Sequence, residues 1–274
     1  MTPASEIQGK PLRIASVNVN GIRAAYRRGM EQWLEQRDVD ILCLQEVRAP
    51  DDVVRSLLGQ DRHIHHAEAE ARGRAGVLIA SRQEPTTLRT GVGDSYFDTA
   101  GRWVEADFDH HGTSLTVVSA YVHSGEVGTP KQDDKYRFLD ALGARLAQLR
   151  ERGGYAVVTG DLNVGHTTRD IRNWKSNVKK AGFLPEERAY FDRYLSDESG
   201  FVDVARSLAG DVDGPYTWWS WRGKAFDNDT GWRIDYQLAT TDLAARAVSA
   251  DVDRATGWDT RFSDHAPLVV DYQI

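Results

Sequence analysis

Asp161 and Asn163 stand two residues apart, just behind the apolar run Tyr155-Ala156-Val157-Val158-Thr159 and Gly160. At that spacing, an extended backbone sends a carboxylate and an amide out on one face. Such a pair can orient a water molecule and donate to an oxyanion; the plain alternative is an Asx turn that ends a strand. Comparable places along the chain carry more such groups. Asn18 closes the run Arg13 to Val17, and Glu46 follows the run Val39 to Leu44 and Gln45. A carboxylate directly after a buried strand suits a hard-metal ligand, or equally a solvated helix start. Asp235 follows Trp232-Arg233-Ile234, and Asp264-His265 precedes the last apolar run, Leu268 to Tyr272. Adjacent Asp and His point different ways, so one can meet a metal while the other meets a substrate oxygen; a coincidental turn is the alternative. Carboxylates gathered at strand ends repel one another, and a divalent cation relieves the repulsion. Oxygen ligands select Mg²⁺ or Mn²⁺ over zinc.

The elements that must position these groups are legible as hydrophobic runs. Val39 to Leu44 is continuous, the mark of a strand buried on both faces. Trp103 to Phe108 alternates and predicts a half-exposed strand. Leu115 to Val122 predicts a strand with Tyr121 near its end. Gly29 to Arg37 predicts a helix with Trp33 and Leu34 inward, and Pro130 starts a longer one. Its stripe of Tyr136, Leu139, Leu142, Leu146 and Leu149 is core packing. The short echo between the Asn18 and Asp161 segments hints at two related halves. Strands alternating with helices give an α/β fold, in which such strand ends converge on one rim.

The chain has 274 residues, 41% hydrophobic and 27% charged, ordinary for a globular protein. We read residues 1–11 as a flexible tail and 12–274 as one catalytic domain. No apolar run approaches membrane-spanning length, and Met1–Lys10 lacks the apolar segment of a secretory signal. Cys43, the single cysteine, excludes an internal disulfide and suits a reducing cytoplasm. It falls in an apolar run, so packing is its expected role. His63, His65 and His66 lack the partners of a zinc site and are expected on the surface. Arg72 to Ala80 is a glycine-punctuated strand entry without the spacing of a phosphate loop.

The formal charge of −7 taken alone argues against a polyanionic partner. Placement answers it. Arg169 to Lys180 holds five basic residues against one acid, interleaved with Asn173, Trp174 and Asn177. That pattern fits contact with a phosphate backbone, or else a solvated basic face. Trp218, Trp219 and Trp221 crowd one short segment, too dense for one strand face, so at least one is expected exposed for stacking on a base or enclosing a sugar. Hard metal, basic segment and exposed aromatics together point to phosphodiester chemistry.

Five segments taken in order make the case more specific: Asn18-Val19-Asn20-Gly21-Ile22-Arg23-Ala24, Leu44-Gln45-Glu46, Gly160-Asp161-Leu162-Asn163-Val164, Trp232-Arg233-Ile234-Asp235-Tyr236 and Ser263-Asp264-His265. From about residue 12 to the C-terminus the chain resembles the exonuclease III and class II AP endonuclease family, within the endonuclease/exonuclease/phosphatase superfamily. Ala181 to Arg188 narrows the resemblance to the DNA-repair branch. It implies a four-layer α/β sandwich, two packed mixed sheets flanked by helices, with the active site at one rim. It implies Glu46 as principal metal ligand with Asn18 and Asp264 beside it, and Asp161, Asn163 and His265 also near the metal. By the same resemblance Asp161 deprotonates or orients water, Asn163 positions it, His265 paired with Asp235 contacts the phosphate, and Tyr121 aids phosphate or leaving group. Asn173, Lys175 and Asn177 match backbone contacts, while Trp218, Trp232 and Ile234 match a pocket for a flipped abasic sugar. The implied activity is Mg²⁺-dependent cleavage of duplex DNA 5′ to abasic sites, with 3′→5′ exonuclease and 3′-phosphatase action, Mn²⁺ substituting, by a cytoplasmic monomer. Asn20 stands where certain relatives carry Asp, and Glu126-Val127-Gly128 lacks an arginine that some insert into DNA. Rival expectations are a phosphatase for lipid or small phosphoesters and a silent nucleic-acid-binding module.

Overall fold

A computed structural model describes residues 9–274, so the tail expected over 1–11 lies mostly outside the described residues. The elements run β1 (Leu12–Asn18), α1 (Ile22–Arg27), α2 (Met30–Arg37), β2 (Ile41–Gln45), α3 (Asp51–Leu58), β3 (His63–Ala67), β4 (Val77–Ser81) and β5 (Thr87–Thr90). They continue as β6 (Trp103–His110), β7 (Thr113–Tyr121), α4 (Pro130–Arg152), β8 (Tyr155–Asp161), α5 (Pro185–Tyr194), β9 (Phe201–Asp203) and α6 (Val204–Ala209). β10 (Asp235–Thr240), α7 (Thr241–Ala244), β11 (Ala247–Val252) and β12 (Leu268–Tyr272) complete the chain.

Two six-stranded sheets form, ordered β11-β12-β1-β2-β4-β3 and β5-β6-β7-β8-β10-β9. Each is antiparallel except for one central parallel pair, β1 with β2 and β7 with β8. The echo noted between the Asn18 and Asp161 segments therefore corresponds to matching places, the ends of β1 and β8. Every residue of β2 is buried, and its side chains alternate between two cores. Cys43 faces the second sheet with Ile14, Ile79, Val117 and Val157, while Leu42 and Leu44 face the helix side with Val17 and Val54. α4 and α5 cover the outer face of the second sheet through Phe138, Leu142, Leu146 and Phe191. The result is helix, sheet, sheet, helix, as expected. No described helix is long and apolar enough to cross a membrane.

Polar contacts lock the two sheets in register near one rim. Gln45 Nε2 donates to Ser16 Oγ and Ser119 Oγ at 3.1 Å each, and Ser119 Oγ donates to the Leu44 carbonyl, all buried. Buried polar groups so satisfied specify one alignment of the layers. At that rim β1, β2, β7 and β8 end, while β10 starts antiparallel to β8 with Asp235 opposite Asp161.

Two expectations are corrected. β6 is covered on both faces rather than half-exposed, because its polar positions are ion-paired. Glu105 is held by Arg89 and Arg145, and Asp107 by Arg89 and Arg152. The His66 side chain is almost fully enclosed, 3.5 Å from Asp51. β3 is an edge strand paired with β4, and His66 shares with Ile64 the face turned toward α3, which encloses it.

Candidate active site

The side chains at this rim are aimed by abrupt turns directly after the strands. Asn20, Glu46 and Asn163 all adopt left-handed backbone, with φ of 46°, 49° and 52°. Such conformations cost non-glycine residues free energy and gather where function needs them. Asp161 and Asn163 therefore meet through a left-handed turn, not along extended backbone. Asp161 Oδ1 accepts from the Asn163 backbone N–H at 3.0 Å, and Oδ2 from Asn163 Nδ2 at 3.2 Å. Before the turn, Gly160 lets β8 approach β7: a Cβ there would lie 1.9 Å from the Ala120 carbonyl oxygen.

The rim gathers the sequence candidates closely. Asn18 Nδ2 lies 2.9 Å from both Glu46 Oε1 and Asp161 Oδ2, so one amide bridges the two sheets. Its oxygen accepts from the Asn20 N–H at 3.0 Å, so Asn18 faces both acids as a donor. Tyr121 OH donates to Glu46 Oε1 at 2.7 Å, and Arg48 pairs with Oε2. His265 Nδ1 sits 2.9 Å from Asp235 Oδ2, and its Nε2 is 3.8 Å from Asp161 Oδ2. Asp264 Oδ1 accepts from Asn20 Nδ2 at 2.9 Å and Oδ2 from Trp218 Nε1 at 3.1 Å.

Electrostatics follow from this crowding. Burial raises the Asp161 carboxyl; His265 opposes that and Asp235 reinforces it, leaving it raised. Burial would lower the His265 imidazole, but the charges of Asp235 and Asp161 outweigh it and raise it, favouring the cation. Burial raises Asp264, and His265 with the Asn20 and Trp218 donors turns it lower. A proton acceptor and a held imidazolium thus share one cleft of about 450 Å³, bordered also by Glu46 and Asp264. Its other wall is Trp218, Trp232 and Ile234, the two indoles edge to face at 6.0 Å.

The donor set fits a hard divalent cation. Glu46, Asp161 and Asp264 place carboxylate oxygens around the cleft, with no thiol and one imidazole. Asp161, Asp235 and His265 keep ligand-type atoms within 4.8 Å of one another. Like charges so close are relieved by a cation.

Residues that sequence reasoning passed over support the site. Lys135, fully buried, lies 2.7 Å from Glu187 and donates to the Asn163 carbonyl at 2.8 Å, pinning the turn that aims Asn163. Its place on the same stripe as Leu139 and Leu142 was the available signal. Thr217 Oγ1 donates to Asp235 Oδ2 at 2.6 Å and fixes that carboxylate for His265. Arg102 lies over the Tyr121 ring at 4.6 Å. In the basic segment Asn173 and Lys175 are exposed, whereas Asn177 is buried and donates to the Asn173 carbonyl at 2.8 Å. Arg169 is tied to Asp211 and Asp213, which leaves Lys175, Lys179 and Lys180 as the cations without carboxylate partners there among the described residues.

Residues 15–265 match the endonuclease/exonuclease/phosphatase family. The chain belongs to that family. It is similar to an exodeoxyribonuclease of Bacillus subtilis, 34% identical over 94% of this chain and 98% of the relative. Among solved structures of the fold, an AP endonuclease from Archaeoglobus fulgidus is 30% identical with a TM-score of 0.81, covering 96% of this chain and all of that one. A 3′ phosphatase from Neisseria bound to a product DNA hairpin is 26% identical with a TM-score of 0.82, covering 96% of this chain and 100% of that one. The alignment reaches from β1 to His265, so it includes every strand end that forms the rim.

Proposed function

We propose that this chain is a metal-dependent DNA repair phosphodiesterase that hydrolyses DNA 5′ to abasic sites. By the same reading it removes nucleotides or blocking groups from the 3′ ends of duplex DNA. The observation that carries this reading is the Asp161–His265–Asp235 cluster opening into a cleft walled by Trp218, Trp232 and Ile234. Relatives named as exodeoxyribonuclease and AP endonuclease support the substrate.

In this reading Asp161 takes a proton from the attacking water. Asn163 spends its amide nitrogen on Asp161 and the Val122 carbonyl, so its oxygen is the atom that turns to that water. His265, held through Nδ1 by Asp235, donates from Nε2 to a phosphate oxygen as charge builds there. Tyr121 steadies Glu46 and borders the phosphate's place. Glu46 and Asp264 would hold a hard divalent cation, Mg²⁺ with Mn²⁺ as substitute, which supplies charge neutralisation to the phosphate and the departing 3′ oxygen. The P–O3′ bond breaks, leaving a 3′-OH and a 5′ deoxyribose phosphate. A sugar lacking its base enters the cleft against the wall of Trp218, Trp232 and Ile234, and an intact nucleotide is too large. A site built wholly from one chain suits a monomer, and one buried thiol suits the reducing cytoplasm.

The test offers purified protein a duplex with one abasic analogue and an undamaged blunt duplex, with Mg²⁺ and then with EDTA. Cutting beside the analogue that EDTA abolishes and Mg²⁺ restores supports the reading. Hydrolysis of inositol phosphates without cutting of either DNA overturns it.

Two smaller effects are expected. Lys175→Ala weakens duplex binding evenly across sequences and lowers the salt slope of log K by about one; an unchanged slope removes Lys175 from the interface. Gly182→Ala puts a Cβ 2.9 Å from Trp232 Cζ3 at a φ of +92°, so the indole must shift from its place in the cleft wall. We expect KM for the abasic duplex to rise by roughly tenfold, the cost of displacing a positioning group by a fraction of an ångström. Unaltered steady-state constants would count against the indole wall.

A further inference from the structure

Trp258 is 47% exposed on the segment between β11 and Asp264, and nothing in the chemistry above uses it. A lone surface tryptophan would need no explanation. This one is built in. Its ring meets the Trp221 ring edge to face at 5.9 Å and 89°. Trp221 in turn carries Arg261 at 3.8 Å from its centroid and Arg28 at 5.2 Å. Arg261 is 5% exposed, lies 5.0 Å from the Phe226 ring as well, and donates to the Trp219 carbonyl at 3.2 Å. The indole face is therefore held before any ligand arrives, which lowers the entropic cost of binding.

The platform continues the cleft. Trp221 follows three residues after Trp218, and Arg261 precedes Asp264 by three; Trp218 donates to Asp264 within the cleft. The two segments that wall the active site thus extend outward as the platform. Arg222 and Lys224 follow Trp221 on its loop, Arg28 reaches its ring from the end of α1, and none of the three is within ion-pair distance of a carboxylate among the described residues. Asp227, Asp229 and Asp259 are exposed acids on these loops and partly offset them, Asp229 being drawn to Arg254 at 3.8 Å and to the Trp219 indole N–H at 3.0 Å. A flat face bordered by unpaired cations suits a ligand that is both planar and anionic.

We propose that this face holds one unpaired nucleotide of the DNA substrate, its base stacked on Trp258 and its phosphate near Arg28. A base inside a duplex hides its face, so the occupant is a frayed or overhanging nucleotide. The inference rests on the DNA reading above and extends it to strand ends that are not fully paired.

The experiment uses full-length protein in EDTA, where nothing is cut, and follows tryptophan fluorescence and anisotropy during titration with labelled oligo-dT. Trp258→Ala is expected to weaken oligo-dT binding by about 5- to 150-fold, the range for losing one base–aromatic stack. Trp258→Phe is expected to recover most of the loss. Cleavage of the abasic duplex in Mg²⁺ should stay at the wild-type level in both variants. Wild-type oligo-dT affinity in Trp258→Ala, or a wild-type protein that does not bind oligo-dT, overturns the platform. A wild-type protein that cuts no DNA at all sinks the functional reading instead.

Discussion

Asp161→Asn is expected to lower turnover on abasic duplex by on the order of 10²–10⁴, the span for a positioned general base. The substitution keeps shape and exchanges one accepting oxygen for an NH₂. Asn18, Asn163 and the Asn163 N–H all donate to Asp161, so the new side chain must turn one NH₂ against donors that a carboxylate satisfied. The effect belongs in the chemical step, so kcat falls while KM and DNA affinity stay near wild type. Stability should move little. The native carboxyl is buried, 1% exposed, near Asp235 and Glu46, and raised for those reasons. An acid whose folded-state pKa is raised weakens the fold above its ordinary pKa, so neutralising it offsets the donor clash and melting should stay near wild type. Single-turnover cleavage and a melting curve on one preparation decide. Wild-type turnover would remove Asp161 from the mechanism, and a large drop in melting temperature would reassign the loss to unfolding.

The parts of this arrangement that the chain announces in advance are those set by local pattern. β2 and β8 are readable because continuous apolar runs of that length are buried strands, and a polar residue just behind such a strand lies at a rim. Asn18, Glu46 and Asp161 were legible that way, Asp264 by its place just before the last strand, and the family resemblance supplied their roles. What escaped depends on partners far along the chain. β6 looks half-exposed because Glu105 and Asp107 alternate with apolar residues; only Arg89, Arg145 and Arg152 make those positions buriable. Lys135 escaped because a lysine among leucines reads as a stripe's edge until Glu187, 52 residues on, meets it. The left-handed turns at Glu46 and Asn163 carry no glycine to signal them. The cage around Arg261 needs Trp221 and Phe226 from another loop, and no spacing rule joins them.

Asp170→Asn should show how strongly such a distant pairing holds the site. Asp170 is fully buried; its Oδ1 accepts from Arg233 Nε at 2.7 Å and Arg206 Nη2 at 2.6 Å, and its Oδ2 from the Thr167 N–H at 2.7 Å. Arg233 is 1% exposed, reaches Asp203 at 2.8 Å, and sits between Trp232 and Ile234 of the cleft wall. Removing one charge from such a network leaves the other ion uncompensated in a dry place. Breaking a buried pair costs about 3–5 kcal/mol, and we expect about 3 because Asp203 remains. That corresponds to a fall in melting temperature of roughly 6–12 °C at neutral pH. Burial alone would raise the Asp170 carboxyl, but Arg233, the Thr167 N–H and Arg206 hold it down at about 2. A carboxyl depressed in the folded state stabilises above its ordinary pKa near about 4, and that stability is lost as pH falls through the folded value. The gap between wild type and Asp170→Asn should therefore be full at pH 7 and shrink steadily between about pH 4 and 2. Calorimetric melting across that range checks both size and sign. A gap that persists undiminished in acid would mean the lost interaction is not the carboxylate's charge, and no gap at pH 7 would mean the network does not hold the Trp232 wall.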